Sequence, residues 1–335
     1  LGDVYKRQVF AAHAENEIRE LADLMQIPVI TTMMGISVFP DDDQLFCGMI
    51  GTHGVKMANA AVNECDVLFL VGARVGDRAV KTPLALEKTT KIIHIDIDPA
   101  EIGKNIGADL PLVGDAKLVL QQMTELAKPM KHDEWIAHIK TLGGERKYVE
   151  PAKGTVNPRV FIDRLAKKMP ANVTVVADVG QNQIWTCTEY KFRKEGRLLT
   201  SGGMGTMGYS VPAAIGAKMA DDSRATVAIC GDGAFQMSFM ELATAVQFGV
   251  DIKVVVMTNN RLGMVRELQT NGYHDRQTAV FLDGSPDFIK LAEAYSIPAM
   301  RVYDDDTMEK GIEMLAEHKG ICLVEVVVDK DMPTL

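Results

Sequence analysis

Thr226-Val227-Ala228-Ile229-Cys230-Gly231-Asp232-Gly233 reads as an apolar strand that ends in an acid held between two glycines. A second apolar run, Val254–Met257, leads into Thr258-Asn259-Asn260, which places Asn259 27 positions after Asp232. Two such runs separated by helix-length sequence require a crossover connection, hence parallel pairing in a sheet buried on both faces. Ligands of such sheets sit at the carboxyl ends of the strands, where Asp232 and Asn259 both fall. A carboxylate and a carboxamide oxygen suit Mg²⁺, whose near-octahedral shell is completed by phosphate oxygens. The flanking glycines let main-chain N–H groups come close to those phosphates. Alone, Gly-Asp-Gly is equally a tight turn after a strand. The asparagine at the end of a second strand turns the reading toward a metal-held diphosphate.

Working outward, apolar runs at Ile27–Thr31, Asp66–Val71 and Lys91–Ile97 alternate with helical patterns such as Ala11–Met25. The second half repeats the alternation. Strands are predicted at Val173–Ala177, Thr226–Cys230, Lys253–Met257 and Leu323–Val328, and helices at Pro158–Lys168, Val211–Met219, Phe239–Phe248 and Asp287–Ala294. Ser238 and Glu241 have the spacing of a capping box that opens Phe239–Phe248. Between 128 and 157 the pattern gives way to charged residues, Gly143-Gly144 and three prolines, a linker with one short helix around Trp135. The predicted fold class is therefore α/β, with two doubly wound parallel-sheet domains at 9–127 and 158–335.

Composition narrows the partners. A net charge of −9 with no basic run argues against a nucleic-acid surface. No stretch approaches the roughly 18 uninterrupted apolar residues of a membrane helix, and there is no signal-peptide pattern. Cys47, Cys65, Cys187, Cys230 and Cys322 are scattered with no C-x-x-C, which fits a reducing cytoplasm; Cys65 and Cys230 lie in or beside strand runs and are expected to be buried thiols. The 19 methionines read as core filling rather than a binding groove. The acid runs Asp41–Asp43 and Asp304–Asp306 read as solvated loops.

Four segments of the second half are expected to converge: Asp178-Val179-Gly180-Gln181, the glycine-rich loop Ser201–Gly208, the Gly-Asp-Gly turn, and Asn259–Val265. With these on the page, the chain resembles thiamin-diphosphate enzymes, and among them the large catalytic subunit of acetolactate synthase. Ile50–Gly54, Val71–Arg78 and His94–Asp98 resemble the same family's FAD-binding middle domain, so the resemblance spans nearly all of the chain after about residue 10. It implies a FAD-binding-type middle domain followed by a thiamin-diphosphate-binding C-terminal domain. Asp232 and Asn259 would ligate Mg²⁺ together with the carbonyl of Arg261. Gln181, Gly233 and Ala234 would contact the diphosphate; Gly205 and Met207 would hold the aminopyrimidine. Met207, Met264 and Val265 would form the catalytic surface. Thr52, His53, Gly72, Arg74, Asp96, Ile97, Asp115, Gly202 and Gly203 would contact FAD. On the residues alone, His53 reads first as a loop cap, and Arg74 and Arg78 read also as surface arginines.

The implied reaction is decarboxylation of pyruvate and joining to a second 2-keto acid, pyruvate or 2-ketobutyrate. The products are 2-acetolactate or 2-aceto-2-hydroxybutyrate, on the route to valine, leucine and isoleucine. The family forms homodimers or higher oligomers, often with a small regulatory subunit. Pyruvate oxidase, glyoxylate carboligase and keto-acid decarboxylase share the architecture and stand as alternatives, as does a cofactor-binding module without turnover. This sequence departs from the family at several points. Thr258 stands in place of a first asparagine, Asn182 where many members have histidine, and Val75-Gly76 in place of a frequent Phe-Asp. Leu268 occupies a position that is often tryptophan, which puts second-substrate preference in question. Leu1–Gln8 is a polar octapeptide with no opening strand, and Val324–Val328 is followed by only seven residues. We therefore expect a fragment, with Leu1–Gln8 an assembly or cloning scar. Nothing here matches the family's first domain, which supplies a glutamate to the pyrimidine, so the fragment is expected to be inactive alone.

Overall fold

The computed structural model describes residues 8–144 and 148–335. Contacts divide the chain into two units, Leu1–Arg146 and Lys147–Leu335. The division falls inside the span expected as a linker, part of which, 145–147, lies outside the described residues, as do residues 1–7 of the N-terminal octapeptide. The expected short helix exists as Asp133–Leu142, and its Ile139 is buried against Cys47 and Ala61 of the first unit.

Among its described residues the first unit holds two parallel sheets. β1 (Val29–Thr31) pairs with β2 (Phe46–Met49); β3 (Val67–Val71), β4 (Lys91–Asp96) and β5 (Leu110–Val113) form the other. Helices Glu15–Met25 and Ala116–Leu126 pack together, as do Lys56–Glu64 and Asp133–Leu142. The run expected as one helix over Ala11–Met25 is broken. Gln8–Ala11 and Glu15–Met25 are separate helices, because His13 takes a left-handed φ of 50° and the Ala14 N–H donates back to the Val9 carbonyl.

The second unit is one six-stranded parallel sheet. β6 (Thr174–Ala177), β7 (Arg197–Thr200), β8 (Thr226–Gly231), β9 (Lys253–Thr258), β10 (Ala299–Val302) and β11 (Cys322–Val327) stand in the order β10–β11–β9–β8–β6–β7. The reversal of direction between β6 and β8 marks this as a doubly wound sheet. Every residue of β9 is buried, as its continuous apolar run requires. Register sets the site: Gly231 lies opposite Met257, so Asp232 and Asn259 leave neighbouring strands side by side.

Local signals placed several helices. Asn157 caps Pro158–Lys168 by accepting from the N–H groups of Arg159 and Val160; a proline follows at the first turn and lysines close the last. Asp287 caps Phe288–Ala294 in the same way, one residue later than expected. Three expectations are corrected. Ser238 and Glu241 make no capping box: Phe239–Glu241 is a 3₁₀ turn, the Ser238 hydroxyl finds no partner, and the Glu241 carboxylate accepts from Thr244 instead before Leu242–Gln247 begins. Asp304–Asp306 is no loop, since Asp304 and Thr307 form a true capping box that opens helix Asp305–Glu317. Cys230 is fully buried as expected, but Cys65, just before β3 as expected, is only half-buried.

The core of the second unit includes Phe235 and Phe288, whose rings meet edge to face with centroids 5.4 Å apart. Phe288 is wholly buried. Its replacement, Phe288→Ala, should lower the stability of this unit by about 3–5 kcal/mol, read as a shifted midpoint in urea unfolding.

Candidate functional site

Asp232 follows β8 directly and is 2 % exposed. Its Oδ1 accepts the Gly233 N–H at 2.8 Å, and its Oδ2 accepts those of Asn259 at 3.1 Å and Asn260 at 2.6 Å. One carboxylate thus ties the end of β8 to the end of β9. Asn259 is oriented in turn: its Oδ1 accepts the Arg261 N–H and its Nδ2 donates to Gln181 Oε1 at 3.2 Å. Asn260 and Leu262 bond across to residues 280–282, which leaves the Arg261 carbonyl outside that bridge. The Arg261 side chain stacks on Phe281 and pairs with Asp283.

Burial pushes the Asp232 carboxyl up to about 6, against the three N–H donors that favour its charged form. Among the described residues no cation pairs with it. A buried carboxylate held only by main-chain donors, beside a carboxamide oxygen and a carbonyl, is a donor set suited to a hard divalent ion that brings phosphate oxygens of its own. No group of three His, Cys, Asp or Glu side chains occurs among the described residues, so a site built on a single carboxylate fits Mg²⁺ better than zinc.

A cavity of about 110 Å³ opens at these strand ends, lined by Gln181, Met207, Asp232, Ala234, Asn259 and Met264 among others. Gly233 and Val265 also line it; Gly205 does not, and stands on an exposed turn at φ 65°. Met207 is brought in from below: its methyl lies 3.3 Å from where a Cβ on Gly233 would stand. Gln181 begins helix Gln181–Glu189, whose N-cap is Gly180 with no side-chain cap. Helix Asp232–Phe235 also has no N-cap side chain, although Asp232 Oδ1 already takes the Gly233 N–H. Uncapped N–H groups at the rim of a cavity are an anion cradle. A Cβ on Gly263 would meet the Gln181 carboxamide and force that side chain to move.

Two residues build the site without lining its metal end. Asp178, wholly buried after β6, accepts the N–H groups of Val179, Gly208 at 3.0 Å and Ser210 at 2.8 Å, and so fixes the loop that carries Met207. Asn182 donates to the carbonyls of Asp178 and Ile229, bracing β6 against β8. The sequence signalled Asp178 by its place after a strand, but not its anchoring role. A third contribution was not foreseen: Gln181 Nε2 donates to the Met332 carbonyl at 2.9 Å, Trp185 Nε1 to that of Pro333, and Thr334 bonds Glu267.

The first unit has its own crevice. Gly72 ends β3 at φ 57°, and Asp96, 1 % exposed, ends β4. The Gln8 carboxamide engages both neighbours there: Nε2 donates to Asp96 Oδ1 at 2.5 Å, and Oε1 accepts the Ile97 N–H at 3.2 Å. An acceptor and a donor side by side suit a ligand edge that carries one of each, and the Gln8 amide stands in for it. Asp115 is turned inward as the N-cap of Ala116–Leu126. Thr52 donates its N–H to the Arg78 carbonyl; Arg74 is exposed and His53 half-buried. His94 was not singled out, yet it is buried with neither ring nitrogen bonded, and burial holds it below its usual value. A cavity of about 240 Å³ runs beneath Gln8, Gly72 and Arg74. Gly202 and Gly203 belong to the second unit, on the loop after β7.

Residues 178–326 match the thiamine pyrophosphate enzyme C-terminal TPP binding domain, and residues 6–123 match the thiamine pyrophosphate enzyme central domain. The chain belongs to the thiamine pyrophosphate enzyme family. Within that family it is 39 % identical over 332 residues to a probable acetolactate synthase large subunit of Methanocaldococcus jannaschii, covering 96 % of this chain and 56 % of that protein. It is 36 % identical over 314 residues to an acetolactate synthase large subunit of Lactococcus lactis, covering 93 % and 54 %. It is 38 % identical over 339 residues to an acetolactate synthase of Mycobacterium bovis, covering 96 % and 53 %. The chain thus spans just over half the length of these relatives. The TPP-binding match begins at Asp178 and contains Asp232 and Asn259; the central-domain match contains Gly72, Asp96 and Asp115. Of the departures from the family, Asn182 is a structural brace, Val75 is a buried core residue, and Leu268 is exposed.

The Asp232 carboxyl of the folded, metal-free protein stands near 6, above its ordinary 3.8. Between those values the fold binds a proton that the unfolded chain has released, so metal-free stability falls as pH rises through the window. A cation needs the charged form and displaces that proton. The Asn259 and Asn260 amide resonances should therefore titrate near pH 6 and move to a lower midpoint when Mg²⁺ is added. A midpoint near 4 without metal would remove burial as the controlling effect.

Proposed function

We propose that this chain is the cofactor-holding part of an acetolactate synthase, a transferase that decarboxylates pyruvate and joins the remainder to a second 2-keto acid. The products are 2-acetolactate and, with 2-ketobutyrate, 2-aceto-2-hydroxybutyrate, for valine, leucine and isoleucine synthesis. The observation that carries this reading is the pair Asp232 and Asn259, joined through main-chain N–H groups at the ends of β8 and β9. The names of the relatives support the rest.

In this reading Asp232, Asn259 and the Arg261 carbonyl hold Mg²⁺, and Gln181, Gly233 and Ala234 receive the diphosphate. Gly205 and Met207 hold the aminopyrimidine, and Met264 and Val265 face the substrate. Bound thiamin diphosphate supplies the electron sink that makes decarboxylation possible. This chain contributes orientation and exclusion of water: Asp178 fixes the Met207 loop, and the apolar Met207 and Met264 wall the cavity. FAD, in a structural role, is assigned to Thr52, His53, Gly72, Arg74, Asp96, Ile97, Asp115, Gly202 and Gly203. The Asp96–Ile97 pair fits it best, since a carboxamide already satisfies both groups. Domains at 9–127 and 158–335 with a linker at 128–157, a homodimer or larger assembly, a small regulatory subunit and a cytoplasmic setting belong to the same proposal. No helix among the described residues is long and apolar enough to cross a membrane.

Asp232→Ala leaves the metal without its one charged ligand. Calorimetry with Mg²⁺ and thiamin diphosphate should show binding to the parent chain and at least about a 100-fold loss in the variant, roughly 2.7 kcal/mol. Unchanged affinity would reject the assignment. Product analysis of the whole enzyme with pyruvate, alone and with 2-ketobutyrate, separates the synthase from its relatives: acetate or acetaldehyde as sole product would indicate an oxidase or decarboxylase.

A further inference from the structure

A carboxamide carries an acceptor oxygen at one end and two N–H donors at the other, and its shape does not distinguish them. Hydrogen-bond partners alone decide which way it faces. Asn259 serves a cation only with Oδ1 turned toward it, and two neighbours set that orientation. The Arg261 N–H donates to Oδ1 at 3.1 Å, and Nδ2 donates to Gln181 Oε1 at 3.2 Å. The second bond joins one carboxamide to another, so it holds only if Gln181 is oriented too.

Gln181 is oriented by groups that have no choice. Its Nε2 donates to the Met332 carbonyl at 2.9 Å, and a carbonyl can only accept. It also donates to Thr334 Oγ1 at 3.2 Å. A hydroxyl has one proton to give, and Thr334 gives its own to Glu267 Oε2, whose carboxylate also accepts the Thr334 N–H at 3.1 Å. Toward Gln181 that hydroxyl is therefore an acceptor. The buried Arg266 guanidinium, a donor only, lies 3.5 Å from the same Met332 carbonyl. Gln181 is 4 % exposed, and helix Gly263–Gly272 starts so close to it that a Cβ on Gly263 would overlap Oε1. The side chain has no room to turn over.

We propose that Gln181 is a positioning residue. Its carboxamide passes on to Asn259 a polarity set by Glu267, Thr334 and the Met332 carbonyl, and so keeps the Asn259 oxygen turned to the metal. The inference deepens the Mg²⁺ assignment of Asp232 and Asn259 and rests on it. It also divides the work of Gln181. Both Nε2 protons are committed and Oε1 would repel a phosphate oxygen, so the side chain has no donor for the diphosphate. Gln181 meets that group through its main-chain N–H, at the start of a helix without a side-chain cap.

Binding and a metal-free measurement together test this. In calorimetry with Mg²⁺ and thiamin diphosphate, Gln181→Met should weaken binding about 10–100-fold, the usual cost of losing a partner that orients a metal ligand. In Asn259→Asp the two oxygens are alike and there is no polarity to set. Adding Gln181→Met to that variant should change affinity by less than about twofold. Without metal, hydrogen exchange of the Arg261 amide, which the Asn259 oxygen holds, should quicken about tenfold in Gln181→Met. Thr334→Val keeps the Gln181 side chain and should show both effects at about threefold; it carries the test if Gln181→Met fails to fold. A side-chain contact with the diphosphate predicts equal losses in both Asn259 backgrounds and no change at Arg261, and either result overturns the inference. A parent chain that binds no Mg²⁺ and thiamin diphosphate would instead reject the cofactor assignment, and Arg261 exchange alone would then decide the relay.

Discussion

Ends of parallel strands leave main-chain N–H groups without ladder partners, and in the second unit two buried carboxylates collect them. Asp232 gathers three such groups from two chain segments, and Asp178 gathers three from its own turn and the loop before helix Ser210–Ala220. Each converts a ragged strand end into a fixed wall. The main-chain donors favour the charged form of each buried acid, although burial raises both groups from their ordinary value. The other features of the cavity follow from it. Asn259 is aimed because its own N–H is held by Asp232, Gln181 because Asn259 and the 332–334 segment share its amide, and Met207 because Asp178 holds Gly208.

Much of this was legible in the chain. β8 and β9 are six residues each, with mostly apolar runs, and were placed within a residue or two of their bounds. The pairing of Asp232 with Asn259 followed from both standing just after such runs. The strands that were missed, β2, β5, β7 and β10, have four residues each and partial burial, and Gly48, Pro111, Arg197 and Arg301 interrupt their apolar signal. Helix Gln181–Glu189 was missed for a different reason. All nine of its residues are buried, so no polar face exists to give it a period. Its polar side chains are satisfied internally: Thr186 and Thr188 bond back to Asn182 and Ile184, Gln183 to Thr200, and Glu189 pairs with Arg159. Only tertiary partners make such a sequence helical.

The capping box fails and succeeds for reasons that pattern alone cannot see. Ser238 has the right spacing to Glu241, but the turn before it already bonds its N–H to the Phe235 carbonyl, and the helix winds as 3₁₀. Asp304 sits in extended backbone at ψ 179° with space ahead of it, and there the reciprocal bonds with Thr307 form. Geometry upstream of the cap, set by packing, decides which spacing is used.

The bond from Gln181 to Thr334 spans 153 positions. With Asp232 and Asn259 between them, the site is assembled from nearly the full length of the second unit and exists only when that unit has folded as a whole. No partly folded form brings these strand ends together. A bound cofactor therefore acts as a reporter on the native state and a brace for it, adding about 2.7 kcal/mol of stability when present at 100 times its dissociation constant. Cofactor supply would then shift the folded fraction with no change in sequence.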